Sequence, residues 1–80
     1  MIQLKKSPPK PGTRVVLTQE PPHLLHGLPD QDQAAIREII GKPVLLVAYD
    51  GDGRAELEFA DRRNAVHFIY VDPVYIKPAR

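Results

Sequence analysis

Residues 43–59 of the chain read PVLLVAYDGDGRAELEF. The first seven are apolar or aromatic, whereas residues 54–59 alternate charged with apolar side chains, which is typical of a strand that buries one face. Asp50-Gly51-Asp52-Gly53 lies between them and supplies residue types that tolerate positive φ in hairpin turns. The stretch therefore predicts strands at 43–49 and 54–59 joined by a tight turn.

Three further β segments are predicted on either side of this hairpin. Residues 14–19 contain a run of β-branched and apolar side chains at 15–18, which favours a first strand. A second turn at 61–64 precedes a fourth strand at 66–71. Asp72-Pro73 then breaks the pattern, and 74–76 predicts a short last strand or turn.

One helix, at about 30–40, is predicted in the long loop after strand one. Asp30 is the candidate N-cap, and Gln33 follows three residues later, as in a capping box. Gly41 suits the left-handed position after a helix, and Pro43 prevents its continuation. A helix this short is unstable alone. We therefore expect its apolar face to pack against the sheet, through Ile36, Ile39 and Ile40.

The chain divides into an arm and one domain. Residues 1–11 are basic and rich in proline, which predicts a flexible extended arm, while 12–78 form the domain. The spacing of basic residues and prolines from Lys5 to Pro11 also matches a pattern that SH3 domains bind, as an alternative to a plain terminal tail.

The order of these elements resembles the SH3-like small β-barrel of the KOW and Tudor type. This resemblance implies four to five antiparallel strands closed into a barrel, with the helix inserted after strand one. The resemblance includes short uncharacterised bacterial SH3-like proteins, and it implies no activity. Three segments are similar to theirs: Leu28-Pro29-Asp30-Gln31-Asp32-Gln33, Gly41-Lys42-Pro43-Val44 and Glu56-Leu57-Glu58-Phe59.

The resemblance does not extend to peptide-binding SH3 domains. Pro73-Val74-Tyr75-Ile76 is similar to their last segment but one residue short. The chain has no tryptophan, and residues 20–33 hold no aromatic cluster beyond two histidines. Because docking of polyproline segments needs aromatic ridges, that ligand is not expected here.

Composition favours a small cytoplasmic binding protein. The chain has 80 residues, no cysteine and a net charge of +1, so we expect one domain, a reducing compartment and no general affinity for nucleic acid. No targeting segment or membrane-spanning run is recognisable. No nucleophile set or phosphate loop stands out, so we expect neither an enzyme nor a cofactor.

Two groups of residues are candidate metal sites, and each has a simpler interpretation. His23, His26 and His67 could bind zinc, but the first two lie in a loop with no neighbouring carboxylate to orient them. We expect His67 on the less buried face of its strand. The acids at 50–58 stop before the 12-residue loop of an EF-hand is complete, and a strand begins at once, so they are better explained as a turn.

The first functional prediction is that the chain binds another protein. We expect it to be a monomer or weak dimer that does not contact a membrane. The candidate surface combines a leucine-rich loop, a basic hairpin tip and two tyrosines: His23, Leu24, Leu25, Leu28, Arg62, Arg63, His67, Tyr70 and Tyr75. If the leucines are exposed, they form an apolar patch of the kind that marks contacts.

The alternative is RNA or DNA binding through the basic arm and Arg62-Arg63, with tyrosines stacking on bases. A metal-binding or weak enzymatic role is the second alternative.

Overall fold

The computed structural model describes residues 8–79. The following elements occur in this range: β1 Arg14–Leu17, α1 Asp30–Ile39, β2 Pro43–Tyr49, β3 Ala55–Ala60, β4 Val66–Val71, a single-turn 3-10 helix Pro73–Tyr75, and β5 Ile76–Pro78. The prediction of a mainly β domain with one helix after the first strand is confirmed. Residues 1–7 of the predicted arm lie outside the described range, while the Tyr49 hydroxyl donates a 2.7 Å hydrogen bond to the carbonyl of Pro9.

The five strands form one antiparallel sheet in the order β4-β3-β2-β1-β5. β4 and β5 are its two edges, and a closed barrel is not seen among the described pairings. β1 lies between β2 and β5, so it is not an edge strand. The β3–β4 register is unbroken from Ala55↔Val71 to Ala60↔Val66, whereas the β2–β3 register shifts between Leu46 and Ala48.

The core lies on one face of this sheet, here called the inner face. Every strand contributes to it by alternation, because successive side chains of a strand point to opposite faces. The fully buried side chains include Val15, Leu17, Leu46 and Leu57. α1 covers this face with Ala35, Ile36 and Ile39, as its isoleucine pattern predicts.

α1 does not begin with the predicted capping box. Pro29 occupies the cap position, and no side chain caps the helix. The side-chain amide of Gln33 instead donates to the carbonyl of Leu28 at 2.9 Å. Asp30 is the first helical residue, where its negative charge favours the positive end of the helix. The end is as predicted, with Gly41 left-handed at φ 84°.

The β2–β3 and β3–β4 turns are built in the same way. In each, an aspartate carboxylate accepts backbone N–H groups two and four residues ahead: Asp50 binds those of Asp52 and Arg54 at 2.9 and 2.8 Å. Asp61 binds those of Arg63 and Ala65 at 2.8 and 3.0 Å. The left-handed position is Gly53 in one turn and Asn64 in the other. Both turns predicted from sequence are confirmed.

Candidate protein-interaction surface

β4 exposes an apolar stripe on the outer face of the sheet, opposite the core. Val66, Phe68 and Tyr70 are 56, 52 and 45% exposed, whereas Ile69 and Val71 point inward and are buried. We call Val66, Phe68 and Tyr70 the β4 stripe. A single exposed apolar residue is ordinary on a protein surface, but three neighbours on one strand face are typical of a contact surface.

The backbone of the same three residues faces the open edge. In an antiparallel pair, residues alternate between bonding to the neighbouring strand and pointing away from it. The N–H of Asp61 donates to the carbonyl of Ala65 at 2.9 Å, which fixes the phase of this alternation in the β3–β4 hairpin. His67, Ile69 and Val71 therefore bond to β3. The N–H and C=O groups of the β4 stripe point away from β3, in the plane of the sheet, where the described residues offer no strand to pair with them.

Charged residues border the stripe on its β3 side. Glu58 is the cross-strand partner of Phe68, and Glu56 is that of Tyr70. The Arg54 guanidinium lies 5.8 Å from the centre of the Tyr70 ring, a cation–π distance. Asp50 holds Arg54 in place through a 3.0 Å ion pair. The stripe is thus flanked by acids, and its Tyr70 end is partly covered by one arginine.

The opposite edge of the sheet lacks these features. β5 has three residues, and it carries a lysine and ends in a proline. Short length, charge and proline are the means by which proteins prevent pairing at sheet edges. β4 is longer, contains neither lysine nor proline, and keeps a regular register. Among the described residues 8–79, β4 is thus the edge that lacks these protective features.

The leucine-rich loop does not meet the condition for an exposed apolar patch. Leu25 is 6% exposed and belongs to the core, and Leu24 and Leu28 are half-buried against it. Backbone turns flank Leu25: the amide of Leu24 donates to the carbonyl of Pro21, and the amide of Leu28 donates to the carbonyl of Leu25. Of the loop residues in the predicted surface, only His23 is exposed, in the left-handed region at φ 65°.

The predicted basic hairpin tip lies against α1. The Arg62 guanidinium binds the Glu38 carboxylate through two contacts, at 3.1 and 3.0 Å. Between the hairpin and the helix lies an open cavity of about 270 Å³, to which Arg63 also contributes. Its lining mixes acids with arginines, so it presents no uniform charge to a ligand.

His67 lies on the inner face, so its predicted place on the less buried face is wrong. Its ring stacks on Phe59, with centroids 5.2 Å apart. Its Nε2 lies 2.8 Å from the Asp61 carboxylate, and its Nδ1 lies 3.7 Å from Asp32 of α1. The bond to His67, followed by the backbone N–H of Ala65, lowers the pKa of Asp61 below its usual value. His67 thereby links the hairpin turn to the helix.

The two tyrosines predicted for the surface lie in different environments. Tyr70 belongs to the β4 stripe, whereas Tyr75 is half-buried against the core, and its carbonyl accepts the N–H of Thr18 at 2.8 Å. Val66 and Phe68 were missing from the predicted surface. The alternation of β4 contained the necessary information, because burying Ile69 and Val71 requires Phe68 and Tyr70 to point outward.

Comparison with protein-family models, curated proteins and solved structures finds no match to this chain. Within residues 8–79, no group of three or more histidine, cysteine, aspartate or glutamate side chains is placed to hold a metal ion. In the same range, α1 is too short and too polar to cross a bilayer.

Proposed function

We propose that this chain is a protein-interaction module that binds through the β4 stripe, by accepting a partner strand at the open edge of β4. One observation carries the proposal: the exposed apolar side chains and the outward-facing backbone groups belong to the same residues, Val66, Phe68 and Tyr70. Strand addition uses both features, since main-chain hydrogen bonds supply affinity and alternate side chains supply specificity.

We further propose that the fold is an SH3-like small barrel that leaves β4 open. Two features support this: the long connection with its helix between β1 and β2, and the 3-10 helix Pro73–Tyr75 directly before β5. Nucleic-acid binding has less support, because Glu38 neutralises Arg62 and Glu56 and Glu58 lie beside the stripe. Phosphate backbones would be repelled by that acidic flank.

Site-specific photo-crosslinking in the host tests the proposed function. Benzoylphenylalanine incorporated in place of Phe68 should give a covalent adduct with a protein on irradiation, because a partner strand at this edge would place its own outer-face side chains beside the ring. The matched control places the same residue at Val74, which is 73% exposed but lies outside the β4 stripe. An adduct at Phe68 and none at Val74 is expected. The absence of any adduct at Phe68 would contradict the function.

A further inference from the structure

We infer that the occupant of the β4 edge is a second copy of this chain, paired antiparallel across a two-fold axis at Phe68. The inference rests on the proposed function and names the partner of the same surface. A two-fold interface must be self-complementary, because the same patch serves both subunits. β4 meets this requirement in its backbone, its side chains and its charges.

The backbone register permits the pairing. With Phe68 opposite Phe68 of the other copy, Val66 lies opposite Tyr70 and Tyr70 opposite Val66. These are the residues whose N–H and C=O groups point away from β3. Every outward N–H of the stripe then meets a C=O of the other copy. The result is one continuous ten-stranded sheet, five strands from each copy.

The side chains match in the same register. All three outer-face positions of β4 are apolar or aromatic, so the two stripes join into one apolar surface. Aromatic pairs and aromatic–aliphatic pairs across antiparallel strands each stabilise a sheet. The inner-face neighbours are equally compatible, since His67 lies opposite Ile69 of the other copy.

The charges around β4 do not oppose the pairing of two copies. β4 carries no lysine, arginine, aspartate or glutamate, so no like charges oppose each other across the two-fold axis. The nearest acids, Glu56 and Glu58, lie on β3 of each copy. Three strand spacings, about 14 Å, separate the two β3 strands. This exceeds the Debye length of about 8 Å at physiological salt, so their repulsion is largely screened.

Sedimentation of the purified protein over a wide concentration range tests the inference. We expect a species of twice 9.0 kDa to grow with concentration. Phe68→Lys should abolish it, because two lysines then meet at the two-fold axis, while Glu58 across the strand pair favours the folded monomer. Val74→Lys is the matched control and should leave the dimer intact. Circular dichroism confirms that each variant is folded.

Opposite charges placed at position 68 of two variants test whether this position faces itself in the dimer. Phe68→Glu alone should also be monomeric, and an equimolar mixture with Phe68→Lys should restore dimers, because lysine then faces glutamate. A wild-type monomer at every concentration, a dimer that survives Phe68→Lys, or the absence of rescue between two folded variants overturns the inference. If the wild type is monomeric while Phe68 crosslinks to a protein of another mass, the proposed function stands and only the identity of the partner is wrong.

Discussion

Asp61 combines two tasks in one carboxylate. One oxygen accepts the backbone N–H groups that form the β3–β4 turn, and the other faces His67 at 2.8 Å. His67 in turn faces Asp32 of α1 and stacks on Phe59. A turn residue therefore also connects β4 to the helix. The sequence could predict the turn, because aspartate and asparagine side chains bond to nearby backbone groups and tolerate the left-handed conformation. It could not predict the contact with α1, which depends on how the helix packs.

The pKa of Asp61 predicts a pH dependence of stability. The bond to His67 lowers this pKa in the folded state below the ordinary value of 3.8. The ionised carboxyl thus favours folding above that ordinary value, and its contribution is lost as the pH falls through the lower folded value. Asp61→Asn removes this contribution. Urea denaturation between pH 6 and pH 2 should therefore show a smaller loss of stability in acid for Asp61→Asn than for the wild type.

Asp52→Asn provides the control for this titration. The Asp52 carboxylate is exposed and makes one ion pair, with Arg54 at 3.7 Å. An exposed pair of this kind contributes little, so the acid loss of this variant should follow that of the wild type. Parallel curves for Asp61→Asn and the wild type would show that the contact with His67 does not favour folding in solution.

At the scale of elements, the strands and the two hairpin turns between them were more predictable than the start of α1. β2 and β4 have the bounds expected from sequence, because Asp50 and Asp61 begin turns whose hydrogen bonds are local. The cap of α1 was predicted one residue late. Pro29 holds the cap position through its backbone alone, and Gln33 bonds to Leu28 rather than completing a capping box. The residue types at 30 and 33 favoured a capping box, but the helix begins directly after Pro29.

The leucine-rich loop is part of the core, and this gives a prediction for its two adjacent leucines. Leu25→Ala should lower the free energy of unfolding by about 2–5 kcal/mol, as expected for a buried leucine that leaves a cavity. Leu24 is half-buried, so Leu24→Ala should cost clearly less. Urea unfolding midpoints measure both.

The comparison of the two leucines is decisive because they are neighbours of identical chemistry. Equal, small losses for both variants would mean that the loop does not pack as described and that its leucines are free to bind a partner. Sequence could not assign their burial, since a run of apolar residues in a loop has no periodicity from which to infer a buried face.

For the whole molecule, sequence predicted the helix and the first four strands and left 74–76 as a strand or a turn, where the structure has the end of a 3-10 helix and the start of β5. It did not predict the location of the exposed edges. Strand order depends on long-range pairing, and the pairing of β1 with both β2 and β5 leaves β4 as the longer edge. Because β4 is an edge, the backbone groups of Val66, Phe68 and Tyr70 can pair with an added strand, which they could not do inside a sheet. This explains why Phe68 was absent from the predicted surface, although its orientation follows from simple alternation.

Amide hydrogen exchange, measured by NMR in dilute and concentrated protein, tests the open β4 edge most directly. The amides of Val66, Phe68 and Tyr70 should exchange fast in dilute solution and slowly in concentrated solution, where a second copy pairs with them. Those of His67, Ile69 and Val71 should exchange slowly in both, because they bond to β3. Slow exchange of the first set in dilute solution would show that the edge is already closed, and fast exchange at every concentration would show that no second copy binds there.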